Sequence, residues 1–245
     1  MKRKCIGGVG LTFLIAVLFS PVLALGQMVT IGWQVSGSGL QSGTIITNLD
    51  WDVINANPDK NTIYTWDLPG PIGVVLGAGN TASIDALSIS VKADPRVSFG
   101  FAGSAGNSDT HFIFTSSVLP VSPALVNAAG TASASVTIGF PGDTLTGNYD
   151  GGTKAYRAVY NGSQIFTDLV NTPVGYGGGS DFVSSTPISG AVTSMQAMWD
   201  VTVSAGGSAS GSSQFRVAGD VIPEPATIAL FGLGVTTLIS RRKRS

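Results

Sequence analysis

The sequence predicts an all-β protein, an antiparallel β-sandwich of jelly-roll type, and three observations carry that prediction. Apolar residues alternate with polar ones at period two, the pattern of a half-buried strand. The alternating runs are separated by clusters of Gly, Ser, Asn and Asp, which are turn formers. Helix formers are scarce, since residues 27–220 contain no glutamate and only three lysines. A chain of 245 residues can bury a core without disulfides or metals. No repeat of fixed period is present, which argues against a propeller or solenoid.

In chain order, the first strand is read at 28–36, where Val29, Ile31, Trp33 and Val35 interleave with Thr30, Gly32, Gln34 and Ser36. Leu87, Ile89 and Val91 alternate with Ser88, Ser90 and Lys92, and Val97, Phe99 and Phe101 follow. Residues 119–129 contain Pro120 and Pro123 and are read as a loop, because proline interrupts a ladder. Ala132, Ala134, Val136, Ile138 and Phe140 form the next strand. Tyr156, Ala158 and Tyr160 face Ile165 and Phe166 across Asn161-Gly162, a two-residue type I′ hairpin signal. Ala197, Trp199, Val201 and Val203 precede a Gly/Ser-rich turn at 206–213, after which Phe215 and Val217 close the set.

Charge is sparse and segregated. Only 11% of residues are charged, against about 25% in an ordinary soluble domain. Seven of the 13 basic residues lie at the two ends, leaving six against 13 aspartates in the body, a net −7. That balance excludes the basic footprint of a nucleic-acid-binding chain.

The ends read as addresses. Lys2, Arg3 and Lys4 precede an apolar stretch from Ile6 to Leu25, and Ala24-Leu25-Gly26 sets small residues at −3 and −1 of a cut before Gln27. These are the parts of a secretory signal peptide over residues 1–26. The apolar stretch is also about bilayer length, but Pro21 ahead of the small-x-small site favours cleavage. The only cysteine, Cys5, lies within that leader, so the mature chain has no thiol for a disulfide, a metal or a nucleophile.

Residues 221–245 begin Val221-Ile222-Pro223-Glu224-Pro225, continue through an uncharged apolar stretch over 226–239, and end in Arg241, Arg242, Lys243, Arg244 and Ser245. As a helix the apolar stretch reaches about 21 Å, short of a hydrocarbon core of about 30 Å. Snorkelling arginines and local thinning close the gap, giving one short C-terminal transmembrane helix with the basic cluster cytoplasmic and the body outside. Pro-Glu-Pro, a short hydrophobic helix and a terminal Arg-rich cluster, in that order, resemble the PEP-CTERM sorting signal of Gram-negative-type bacteria. The resemblance covers only about the last 25 residues. It implies passage through the inner membrane, recognition by an exosortase-type processing enzyme, removal of the tail, and delivery to the cell surface or an exopolysaccharide matrix. It implies nothing about the chemistry of the 27–220 body.

Within that body chemical motifs are weak. His111 is the only histidine; Asp109 lies two residues before it, but no Gly-x-Ser-x-Gly elbow accompanies it. Flanked by Phe112 and Phe114, it reads as a strand side chain. Thirteen aspartates allow carboxylate pairs for glycoside hydrolysis, yet most sit at turns and nothing singles out one pair. Asn55, Asn57 and Asp59 alternate like the opening of a calcium loop, but Lys60 stands where the glycine belongs and Trp66 where the glutamate belongs. A loose Ca²⁺ site is the one cofactor this pattern suggests; a transition-metal site lacks ligands. Gly77-Ala78-Gly79 mimics a dinucleotide fingerprint, but a strand rather than a helix follows. Trp33 and Trp199 stand in phase with core residues, whereas Trp51 and Trp66 flank the Asn/Asp loop and are the candidates for stacking on sugar. The function expected is that of an exported, non-enzymatic surface or matrix protein, structural, adhesive or glycan-binding in a biofilm setting. The alternative is a secreted polysaccharide hydrolase using an Asp pair.

Overall fold

A computed structural model describes residues 26–77 and 79–221. The leader, Pro223-Glu224-Pro225, the 226–239 stretch and Arg241, Arg242, Lys243 and Arg244 lie outside the described residues. Strands β1 (Met28–Ser36) and β2 (Leu40–Asp50) lead into α1 (Trp51–Ala56), the one helix among the described residues. There follow β3 (Tyr64–Asp67), β4 (Ile72–Gly77), β5 (Asn80–Lys92), β6 (Arg96–Ser104), β7 (Thr110–Ser116) and β8 (Leu119–Ile138). The chain continues through β9 (Leu145–Gly147), β10 (Lys154–Tyr160), β11 (Gln164–Asn171), β12 (Gly179–Pro187), β13 (Val192–Val203) and β14 (Ser208–Val221). With 69% strand and 3% helix, the expected all-β class is the observed one.

The strands form one antiparallel network in the order β2-β1-β7-β13-β8-β14-β6-β5-β3, with β12 added beside β8, β4 beside β5, and β9 and β10 beside β13. The network folds over on itself, so that β2-β1-β7-β13 faces β14-β6-β5-β3 across a shared core. The fold is nearly a barrel: the ends approach where Ser38 Oγ donates to Leu76 O at 3.1 Å and Gln41 Nε2 to Val75 O at 3.4 Å. Aromatic rings fill the interior. Trp199 of β13 lies 5.1 Å from Phe101 of β6 and 5.0 Å from Tyr156 of β10, and Phe101 stacks on Phe114 at 5.2 Å. Gly211 on β14 pairs with Phe101, and a Cβ there would meet the Phe101 ring at 2.4 Å, so only glycine admits this packing.

Three local readings need correction. Residues 119–129 are not a loop but the first half of β8, a 20-residue strand. Leu119 and Pro120 pair with β13, and from Leu125 onward the strand pairs with β14. Pro123 falls between Pro120 and Leu125, the residues paired with β13, so its missing N–H interrupts no bond of that ladder. The turn expected at 206–213 is shorter, since β14 begins at Ser208. The hairpin at Asn161-Gly162 closes Tyr160 against Gln164 through three residues rather than two, with both Asn161 and Gly162 at positive φ.

Phe140 lies beyond β8 and is exposed, not core. Trp199 is fully buried and Trp33 half-buried against the core, as their phase required. The Gly77–Asn80 junction is a β4–β5 hairpin turn, which leaves no helix to receive a dinucleotide phosphate.

Candidate functional site

Where the sequence placed possible chemistry, the side chains have mostly structural partners. Asp50 caps α1, its Oδ1 accepting from the amides of Asp52 and Val53 at 3.0 and 3.2 Å. That cap fixes the helix so that Trp51 and Ile54 turn inward. Trp51 is therefore buried, at 2% exposure, and its Nε1 donates to Pro120 O at 2.8 Å. Trp51 is thus not the exposed ring expected, its remaining surface only bordering a cavity. Trp66 pairs with Ile89 on the core side of β3 and is half-buried.

The Asn/Asp loop has used its oxygens locally. Asn57 Oδ1 accepts from the Asp59 amide at 2.9 Å, and Asp59 accepts from the Asn61 amide at 3.0 Å and the Thr62 hydroxyl at 2.8 Å. The Thr62 bond and then the Asn61 amide hold the Asp59 carboxyl below its ordinary range. Asn55 points its amide at Ser122 O, and the Lys60 ammonium donates to Asn55 O. A cation beside the loop and oxygens engaged in turns oppose a calcium ion there. Among the described residues no three His, Cys, Asp or Glu side chains group as a metal site.

His111 has partners the sequence did not suggest. Its Nε2 lies 2.5 Å from Asp200 Oδ1, and its Nδ1 lies 3.4 Å from Ser36 Oγ across the β1–β7 ladder. Asn148 Nδ2 donates to the same Asp200 oxygen at 2.8 Å. Asp109 instead accepts from the Ala205 amide at 3.0 Å. Ser, His and Asp thus meet on three adjacent strands, but the serine contact is long for a hydrogen bond to a base, and these residues line none of the described cavities. The arrangement is a hydrogen-bonded side-chain pair on the outer face. Other aspartates are similarly engaged: Asp168 takes Arg157 through two bonds at 2.7 and 2.8 Å, Asp181 takes Lys154 at 3.4 Å, and Asp94 takes Arg216 at 2.9 Å.

A different region has the form of a binding surface. Alternation turns Ala132, Ala134, Phe215 and Phe99 inward and leaves hydroxyls and an amide outward on β12, β8, β14 and β6. Directly paired residues share a face, so ladder register assembles rows across the strands. One row runs Phe182, Ser133, Gln214, Ser98 and Ser90; the next runs Ser180, Ser135, Ser212, Gly100 and Ser88. The β12, β8 and β14 members of these rows, with Ser98 of β6 and the neighbouring Asp181, line a groove of about 570 Å³, continued by a smaller one of about 250 Å³ that shares Ser133, Phe182 and Gln214. Phe182 is 73% exposed at the groove's edge. This surface was invisible in the sequence, which nowhere marks Phe182 as exposed or β12 as the neighbour of β8.

A further cavity, of about 430 Å³, lies where the body ends, with Trp51, Lys60, Pro120, Leu125 and Val221 among its walls. Val221 is also the first residue of a segment that matches a known protein family. Residues 221–244 match the PEP-CTERM protein-sorting motif. The motif implies that the chain is exported and recognised by a membrane-associated exosortase that sorts it toward the cell surface. No curated protein matches the chain. Among the described residues no helix is long and apolar enough to cross a membrane.

Proposed function

We propose that the body is a non-catalytic surface or matrix module that acts by adhesion to glycan in the exopolysaccharide of a Gram-negative-type envelope. What supports the reading is the groove beside Phe182. Hydroxyl groups of Ser98, Ser133, Ser135 and Ser212 and the amide of Gln214 can donate to and accept from sugar hydroxyls. The exposed Phe182 ring offers an apolar face to sugar C–H groups. Hydrolysis by an Asp pair has no comparable support, since Asp94, Asp168, Asp181 and Asp200 are each held by a cation or histidine. A glycan array probed with the exported protein tests the reading: retention on polysaccharide that weakens in Phe182→Ala supports it. Release of reducing ends from a bound polysaccharide, or no retention on any glycan, overturns it.

A further inference from the structure

The six basic residues of the body are not evenly spread. Lys154 and Arg157 are in ion pairs with Asp181 and Asp168, and Lys60 is engaged with the Asn55 carbonyl. The other three stand side by side. Lys92 pairs with Arg96 across the β5–β6 ladder and Arg96 with Arg216 across the β6–β14 ladder, so Lys92, Arg96 and Arg216 form one outward row on three neighbouring strands. This row lies two residues along the strands, about 7 Å, from the row of Ser90, Ser98, Gln214, Ser133 and Phe182. Among the described residues one carboxylate is bonded to it, Asp94 holding Arg216, whose side chain is still 48% exposed, and Asp59 acts on Lys92 only through space. Lys92 reaches the amide oxygen of Asn61 at 3.4 Å, and Arg96 has no carboxylate partner among the described residues, its Nε lacking any acceptor.

Three adjacent cations repel one another, and among the described residues only Asp94 is bonded to the row. We propose that this row makes the groove selective for a carboxylated polysaccharide, a polyuronate-type hexose chain, rather than a neutral one. The proposal rests on the glycan-contact reading and adds the class of glycan. Strands repeat about every 4.8 Å across the sheet, comparable to the length of one sugar residue. A chain lying across β12, β8, β14, β6 and β5 places carboxylates against Lys92 and Arg96, ring hydroxyls over Ser98, Gln214 and Ser133, and one sugar face on Phe182. Arg96 is suited to a planar carboxylate because its guanidinium can present paired donors. A nucleic acid fits less well. The groove has a single exposed aromatic for base stacking.

The test uses the exported full-length protein and four probes: polygalacturonate, dextran, single-stranded DNA and vesicles of anionic phospholipid. Polygalacturonate is expected to bind at least tenfold more tightly than dextran, with a preference that fades as salt rises past a few hundred millimolar. Arg96→Gln should lower polygalacturonate affinity about tenfold and leave dextran unchanged. Because Arg96 is half-buried, Lys92→Gln serves as the second variant; its one side-chain hydrogen bond among the described residues is the long one to Asn61, and it should lose affinity several-fold with an unchanged melting curve. Equal affinity for polygalacturonate and dextran overturns the charge selectivity and leaves the glycan-contact reading standing. Binding to neither glycan overturns both. Tighter binding to DNA or to vesicles, lost in the same two variants, replaces the polysaccharide by that polyanion and also overturns the proposal.

Discussion

The indole Nε1 of Trp199 donates a hydrogen bond to the carbonyl oxygen of Phe99 at 3.2 Å, tying β13 to β6 across the core. Because Ser213 Oγ donates to the same carbonyl at 2.9 Å, three strands meet at one acceptor. Trp199→Ala should cost about 3–5 kcal/mol, the range for removing a buried large aromatic. Trp199→Phe should cost less, since Ser213 still satisfies the carbonyl. Urea unfolding with an unchanged slope would register both; equal stability of Trp199→Ala and wild type would deny that this contact joins the two sides.

Burial pushes the phenols of Tyr149 and Tyr156 above their ordinary range near pH 10. The folded state therefore holds these protons more tightly than the unfolded chain does. Stability should be intact below about pH 10 and fall as pH rises beyond it, because unfolding then releases protons. Tyr156→Phe should flatten part of that fall. It should not itself destabilise, since the Tyr156 hydroxyl is buried without a hydrogen-bond partner. Urea midpoints between pH 8 and 11 read both effects, and parallel profiles for the two proteins would refute the assignment.

The Asn55–Asn61 loop should not need calcium, given its own turn bonds and the Lys60 ammonium. Melting of the exported protein is expected to be the same in chelator and in millimolar Ca²⁺. A rise with Ca²⁺ that disappears in Asp59→Asn would show that the loop opens to bind the ion.

A cut before Gln27 would place the new α-amino group beside a carboxylate. The Gln27 nitrogen lies 3.0 Å from Asp52 Oδ2, and Trp51 donates its amide to Gln27 O at 2.8 Å. N-terminal sequencing of the exported form should begin at Gln27, or be blocked there if the glutamine has cyclised. Asp52→Asn should lower stability of the cleaved form by at most about 1 kcal/mol through loss of that exposed ion pair. Recovery of Lys2, Arg3 and Lys4 on the exported protein would contradict the cleavage.

For the sorting motif, Glu224→Ala is expected to keep the protein uncut in the inner membrane, while the wild type loses Arg241, Arg242, Lys243 and Arg244. A C-terminal tag that persists on the wild type in cells containing the processing enzyme would sink the proposed cut.

The sequence made some of this legible and hid the rest for physical reasons. Period-two alternation identified the inward face of β1, β6, β8 and β13, because burial on one side of a strand is written locally. The sorting motif was equally local. Trp51 was misread because its burial depends on Pro120, 69 residues later, and on the capping by Asp50 that turns it inward. Residues 119–129 were misread because proline is a poor ladder residue in general, whereas here the strand changes partners around Pro123. His111 was paired on paper with its neighbour Asp109, but its partner Asp200 comes from β13, 89 residues away. The cationic row was hidden for the same reason: Lys92, Arg96 and Arg216 become neighbours only when β14 inserts between β6 and β8.

That insertion of β14 also has a mechanical consequence. The strand that leads into the sorting tail is held along one edge by β6, from Ser208 to Arg216, and along the other by β8, from Ala209 to Val221. Tension arriving through the tail enters at Val221 and runs along the strand axis, so it loads both ladders in shear and must break many bonds together. A terminal strand on a sheet edge pulled sideways would instead peel open one bond at a time. Resistance to a pull at this end is thus set by the rate at which β14 slides from between its neighbours.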